Sequence, residues 1–149
     1  MPYFDMNFKS DSLNRNTTVS VILPEKPRES FKTLYLLHGL SDDHRAWLIR
    51  SGIVRYARKY DVAVVMPDAA RSWYADTATG EKYFTLITEE LPTLCRGYFA
   101  GMSARREDNF IAGLSMGGYG ALKAALTYPE RYAGCASLSG SLDITRKGR

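Results

Sequence analysis

Long apolar runs are missing from this chain of 149 residues, and no window reaches the roughly 18 uninterrupted apolar residues of a membrane-spanning helix. The start, Met1-Pro2-Tyr3-Phe4-Asp5-Met6, carries no basic stretch leading into an apolar one, so no secretory leader is read there. Cysteine is scarce: Cys95 and Cys135 lie far apart with no CxxC or Cys/His spacing. That excludes a zinc site and a disulfide framework, and both are expected as buried thiols. The Gly-rich segment at Gly113, Gly117, Gly118 and Gly120 does not fit GxGxxG, and no GKS or GKT is present, so nucleotide binding is set aside. Charge is not concentrated either, with 20 Lys and Arg against 16 Asp and Glu scattered to a net +4. Neither nucleic acid nor a membrane is expected as a partner, and the basic run Arg146, Lys147 and Arg149 reads as a solvated tail. A soluble, cytoplasmic protein is the expectation.

What is present is an ordinary globular composition, 45% hydrophobic and 24% charged, at a length suited to one core. Tyr3 to Phe8 alternates and Thr17 to Leu23 is β-branched, with turn chemistry between them, which predicts an antiparallel hairpin. After Pro24 and Pro27, Thr33 to Leu37 and Val62 to Met66 are apolar on both faces, as strands buried between two layers are. Ala46 to Tyr60 supplies a helical crossover despite Gly52. A helix is predicted around Phe84, Ile87 and Leu91, then a strand at Asn109 to Ala112, a helix from Ser115 to about Thr127, and a final buried strand at Tyr132 to Leu138. The fold class is α/β, a mostly parallel sheet with an N-terminal antiparallel hairpin.

The sharpest chemical feature is Gly113-Leu114-Ser115-Met116-Gly117, a GxSxG pattern between a predicted strand and a predicted helix. In a nucleophile elbow a sharp turn lifts the serine above the sheet, and small residues two places either side prevent collision. Ser115 is the candidate nucleophile, with a serine N-cap in a Gly-rich turn as the plainer alternative. His38-Gly39-Leu40 follows the Thr33 strand, where backbone N–H groups can face that serine, so the N–H groups of Leu40 and Met116 are the candidate oxyanion hole. His38 is expected to be structural. His44, Trp73 and Tyr74 are candidate substrate-binding residues, in loops at the carboxyl ends of strands. The alternatives for His44 are a substitute general base or an exposed polar side chain, and the equal alternative for the two aromatics is as packing anchors of their own loop. Asp68 and Asp76 are weighed as orienting acids against turn and cap roles.

Several blocks in order resemble the α/β-hydrolase esterases of the esterase D and S-formylglutathione hydrolase group, most nearly the bacterial tributyrin esterases. They are Leu36-Leu37-His38-Gly39-Leu40 with Trp47, Val65-Met66-Pro67-Asp68, Ser72 to Thr77, Glu89-Glu90-Leu91-Pro92, Ile111 to Gly120 and Ser137-Leu138-Ser139-Gly140. The resemblance implies short-chain acyl ester substrates and hydrolysis through an acyl-serine, without metal or organic cofactor. It also implies a catalytic Asp and His after the serine, and here no histidine follows Ser115 and the only later carboxylates are Glu130 and Asp143. The expectation is an incomplete hydrolase domain over 1–149, the N-terminal portion of the fold, inactive alone and able to self-associate through an unpaired sheet edge. A non-catalytic binding module on the same scaffold is the alternative.

Overall fold

Strict alternation in the central strands divides the core into two layers. In β3 (Thr33–Leu37), Tyr35 and Leu37 pack on one face and Leu36 on the other; in β4 (Ala63–Pro67), Ala63 and Val65 oppose Val64 and Met66. The computed structural model describes residues 1–26 and 28–145; Pro27 and the basic run Arg146, Lys147 and Arg149 lie outside the described residues. With β1 (Tyr3–Ser10), β2 (Arg15–Ile22), β5 (Asn109–Leu114) and β6 (Gly134–Leu138), these strands form one sheet in the order β1-β2-β4-β3-β5-β6. The β1–β2 and β2–β4 pairings are antiparallel and the remainder parallel, as the apolar runs imply.

The crossover predicted as one helix over 46–60 is two, α1 (Ala46–Arg50) and α2 (Ile53–Tyr60). Ser51 Oγ donates to the Trp47 carbonyl and accepts from the Ile53 N–H, which substitutes local bonds for the helical ladder just before Gly52. α2 buries Ile53 and Ala57 against Ile22, Leu36, Val64 and Met66. On the other face lie α3 (Tyr83–Thr85), a π-helical turn (Leu86–Glu90) and α4 (Leu91–Tyr98), run together, and α5 (Met116–Thr127). Pro92 has no N–H to offer the Thr88 carbonyl, and Arg131 Nη1 donates to that oxygen instead, at 3.1 Å.

One helical carboxylate ties the hairpin to the domain. Glu90 accepts from Ser10 Oγ at 2.8 Å and from the N–H groups of Asp11 and Ser12 at 2.8 and 3.0 Å. Burial alone would raise its pKa, but these hydrogen bonds win and hold it below the usual value. The stabilisation is therefore present above the unfolded-state pKa and is lost as pH falls through the lower folded-state value. Glu90→Gln is expected to cost about 1–2 kcal/mol at neutral pH, after allowance for partial exposure. In urea melts that gap should close at pH 3 or below; an unchanged gap would rule out the charged carboxylate as its source.

Two expectations need correction. β6 is not a buried strand, since Cys135, Ala136 and Leu138 are exposed. Cys135 is accordingly an exposed thiol, whereas Cys95 is buried in the core, its pKa pushed up to about 12 by burial. The cause is position: β6 is the outermost strand, with no neighbour beyond it among the described residues, so apolar composition did not translate into cover.

Candidate active site

β3 and β5 are parallel neighbours with Leu37 opposite Gly113, so the loops that leave them, His38-Gly39-Leu40 and Leu114-Ser115-Met116, emerge side by side at the carboxyl edge of the sheet. A Cβ on Gly39 would lie 3.9 Å from the Ser115 Cβ and 3.7 Å from the Leu114 carbonyl. Ser115 itself has φ 55° and ψ −112°, a conformation that costs a non-glycine residue about 1–3 kcal/mol. Three hydrogen bonds hold it there. The Ser115 N–H donates to the Leu138 carbonyl at 2.9 Å, and the Ser115 carbonyl accepts from the N–H groups of Tyr119 and Ser141 at 3.0 and 3.2 Å.

The glycines around this turn are there because backbone crosses backbone. A Cβ on Gly113 would sit 2.2 Å from the Gly117 carbonyl oxygen, and one on Gly117 only 2.3 Å from the Leu37 carbonyl oxygen. α5 is thereby seated directly on the ends of β3 and β5, with Ser115 half-buried at its head. Met116 is its first residue, where the N–H has no intrahelical acceptor.

His38 is held from both sides. Its Nε2 accepts the Ala69 N–H at 2.9 Å, which puts the ring proton on Nδ1, 2.7 Å from the Gly39 carbonyl. With both nitrogens engaged and the ring buried, it fastens the Gly39 loop to the Ala69 loop and has no lone pair left for Ser115. His44 is half-buried near the carboxylates of Asp5, Asp43 and Asp68, and no hydrogen bond joins it to Ser115 among the described residues.

Trp73 and Tyr74 diverge. Both have positive φ, 55° and 49°. Tyr74 is fully buried, its ring against Gly120 and its hydroxyl donating to the His38 carbonyl at 3.0 Å, so it anchors its loop from beneath. Trp73 is half-buried and meets the Tyr119 ring edge-on at 6.0 Å. Tyr119 was not among the expected site residues, though its spacing of four from Ser115 on one helix is the signal that places it on the serine's side. Asp76 takes a cap role, accepting the Thr85 N–H and hydroxyl at 3.0 and 2.7 Å, while Asp68 accepts the Ala70 N–H at 2.9 Å in a turn and also lies 3.8 Å from His38 Nε2. Among the described residues, no group of three or more His, Cys, Asp or Glu is arranged to hold a metal ion, and no helix is long and apolar enough to cross a membrane.

A strained serine at a strand-to-helix turn, on a sheet of this order, defines the α/β-hydrolase class. Within that class the chain belongs to the esterase family: the family described as "Putative esterase" matches residues 10–147. It is 39% identical over 155 residues to an acetyl esterase of Caldicellulosiruptor saccharolyticus, across 97% of this chain and 58% of that protein. Two Staphylococcus aureus structures are similar over 97% of this chain and 59% of theirs. One is the fluorophosphonate-binding serine hydrolase FphF, with a TM-score of 0.90 and 36% identity, and the other the S-formylglutathione hydrolase FrmB, with 0.88 and 37%. The chain thus spans under three fifths of the length of these relatives.

Proposed function

We propose that this chain carries the nucleophile and oxyanion-hole half of a serine esterase for short acyl esters. The observation that carries the reading is Ser115 itself, strained at the head of α5 with the Gly39-Leu40 loop beside it. In the proposed reaction Ser115 Oγ attacks the ester carbonyl carbon, and the N–H groups of Leu40 and Met116 stabilise the oxyanion. The carbonyl–alkoxy bond breaks, the alcohol leaves with the serine proton, and water then releases the acid from the acyl-serine. Trp73 and Tyr119 wall the substrate crevice, and His44 lines its outer loop. Neither metal nor organic cofactor takes part.

Proton transfer from Ser115 needs a base, and within this chain His38 is committed elsewhere. Loss of the base in serine hydrolases costs on the order of 10⁶ in kcat, so the chain alone is proposed to be nearly inactive. A small fluorophosphonate is accordingly expected to label Ser115 slowly, with no labelling of Ser115→Ala, as followed by intact-mass spectrometry. Rapid labelling would mean that His44 or another chain supplies a base. Labelling indistinguishable from Ser115→Ala would favour the binding module instead. The exposed β6 edge supports self-association as a further part of this reading.

A further inference from the structure

A polar cleft of about 330 Å³ opens at the opposite end of the sheet from Ser115, between α4 and the segment at Arg131 and Tyr132. Its lining includes Tyr35 and Asn109, both at least nine-tenths buried, and Arg96. The Tyr35 hydroxyl, the Asn109 Oδ1 and the Arg96 Nε are all buried with no hydrogen-bond partner among the described residues. Asn109 begins β5 and Ser115 follows its end, so at about 3.3 Å per residue the cleft and the serine are roughly 20 Å apart.

Such atoms are costly to leave unpaired, at about 1–3 kcal/mol each, and their types specify a ligand. The Asn109 Nδ2 donates to the Ser103 and Arg105 carbonyls at 3.0 and 2.7 Å, which fixes Oδ1 as the acceptor. Arg96 makes no ion pair among the described residues, whereas the other arginine of the cleft, Arg131, is matched by Glu89 at 2.7 Å and Glu130 at 3.7 Å. We propose that the cleft binds a small hydroxylated monocarboxylate, its carboxylate on Arg96 and Tyr35 and its hydroxyl donating to Asn109. Two arginines and two glutamates sum to zero charge in the lining, which favours a monoanion over a dianion. Burial raises the Tyr35 pKa, so its hydroxyl stays protonated and donates.

The test is isothermal titration calorimetry of the 149-residue chain with glycolate, acetate and inorganic phosphate at pH 8. Glycolate is expected to saturate one site, acetate to bind about fivefold or more weakly for want of a hydroxyl, and phosphate to bind more weakly than glycolate. Arg96→Gln should weaken glycolate about tenfold or more, and Tyr35→Phe, which removes a single oxygen from the core, several-fold. Ser115→Ala and the surface change Arg55→Gln should leave it unchanged. Absence of saturable binding, phosphate binding tighter than glycolate, or equal glycolate binding by wild type, Arg96→Gln and Tyr35→Phe would overturn the proposal. Loss of glycolate binding in Ser115→Ala would also overturn it, by placing the probe at the nucleophile. The esterase reading stands or falls separately, on labelling at Ser115.

Discussion

Mixing this chain with the C-terminal portion of the acetyl esterase relative is expected to produce hydrolysis of p-nitrophenyl acetate that neither part shows alone. Ser115→Ala is expected to remove that gain, by on the order of 10⁶ in kcat. The strained serine, the Gly39-Leu40 loop and the clamp from Leu138 and Ser141 are assembled within this chain. A base hydrogen-bonded to that serine is not: His38 is engaged at both ring nitrogens, and His44, whose Nδ1 has no partner among the described residues, makes no hydrogen bond to Ser115. In the proposed division the partner brings the base with its orienting acid, and the exposed β6 edge offers the backbone groups on which an added strand can pair. A well-folded complex without Ser115-dependent hydrolysis would sink the catalytic proposal and favour the binding module.

The second large effect is on stability, and the same substitution at two glycines should act in opposite directions. Gly117→Ala drives a methyl to 2.3 Å from the Leu37 carbonyl oxygen and 2.7 Å from that of His38, both backbone atoms of a central strand and its exit. Neither can retreat without breaking the β3–β5 pairing, so a loss of about 3–5 kcal/mol is expected, a large part of a domain's typical 5–15. Gly97→Ala meets nothing within 4 Å on the exposed side of α4, and should gain about 0.5–1 kcal/mol from helix propensity and a less mobile unfolded chain. Urea unfolding of the two variants checks both signs. A tolerated Gly117→Ala would show that α5 is not seated on the strand ends as described.

The contrast explains what was legible in the sequence. Thr33 to Leu37 was readable to the residue because a β-branched threonine and four consecutive apolar residues, Leu34 to Leu37, leave little but a buried strand. The elbow was readable because close backbone crossing permits only glycine at 113 and 117. Elsewhere the deciding partner lies far along the chain. The Thr88 carbonyl, to which Pro92 has no N–H to offer, accepts from Arg131, 43 positions away. Tyr74 reads from its loop equally as a pocket wall or a packing anchor, and what decides for the anchor is its hydroxyl bond to the His38 carbonyl 36 positions earlier, with the ring withdrawn into the core. Cys135 was misjudged because burial of a strand depends on what lies beside it, which local composition does not encode. The Arg96 cleft left no local signal at all, since its three unpartnered atoms come from β3, α4 and β5.

The strand order has a consequence for how the domain is built from its amino end. Once β4 has slotted between β2 and β3, every later strand joins at the same side of the sheet, β5 against β3 and β6 against β5. A chain emerging during synthesis can thus consolidate by addition at one growing edge, without prising apart pairs already formed. The elbow at Ser115 depends on the outermost of these strands, because its backbone N–H donates to the Leu138 carbonyl. A nascent chain halted before β6 would hold the serine motif without the clamp that strains it.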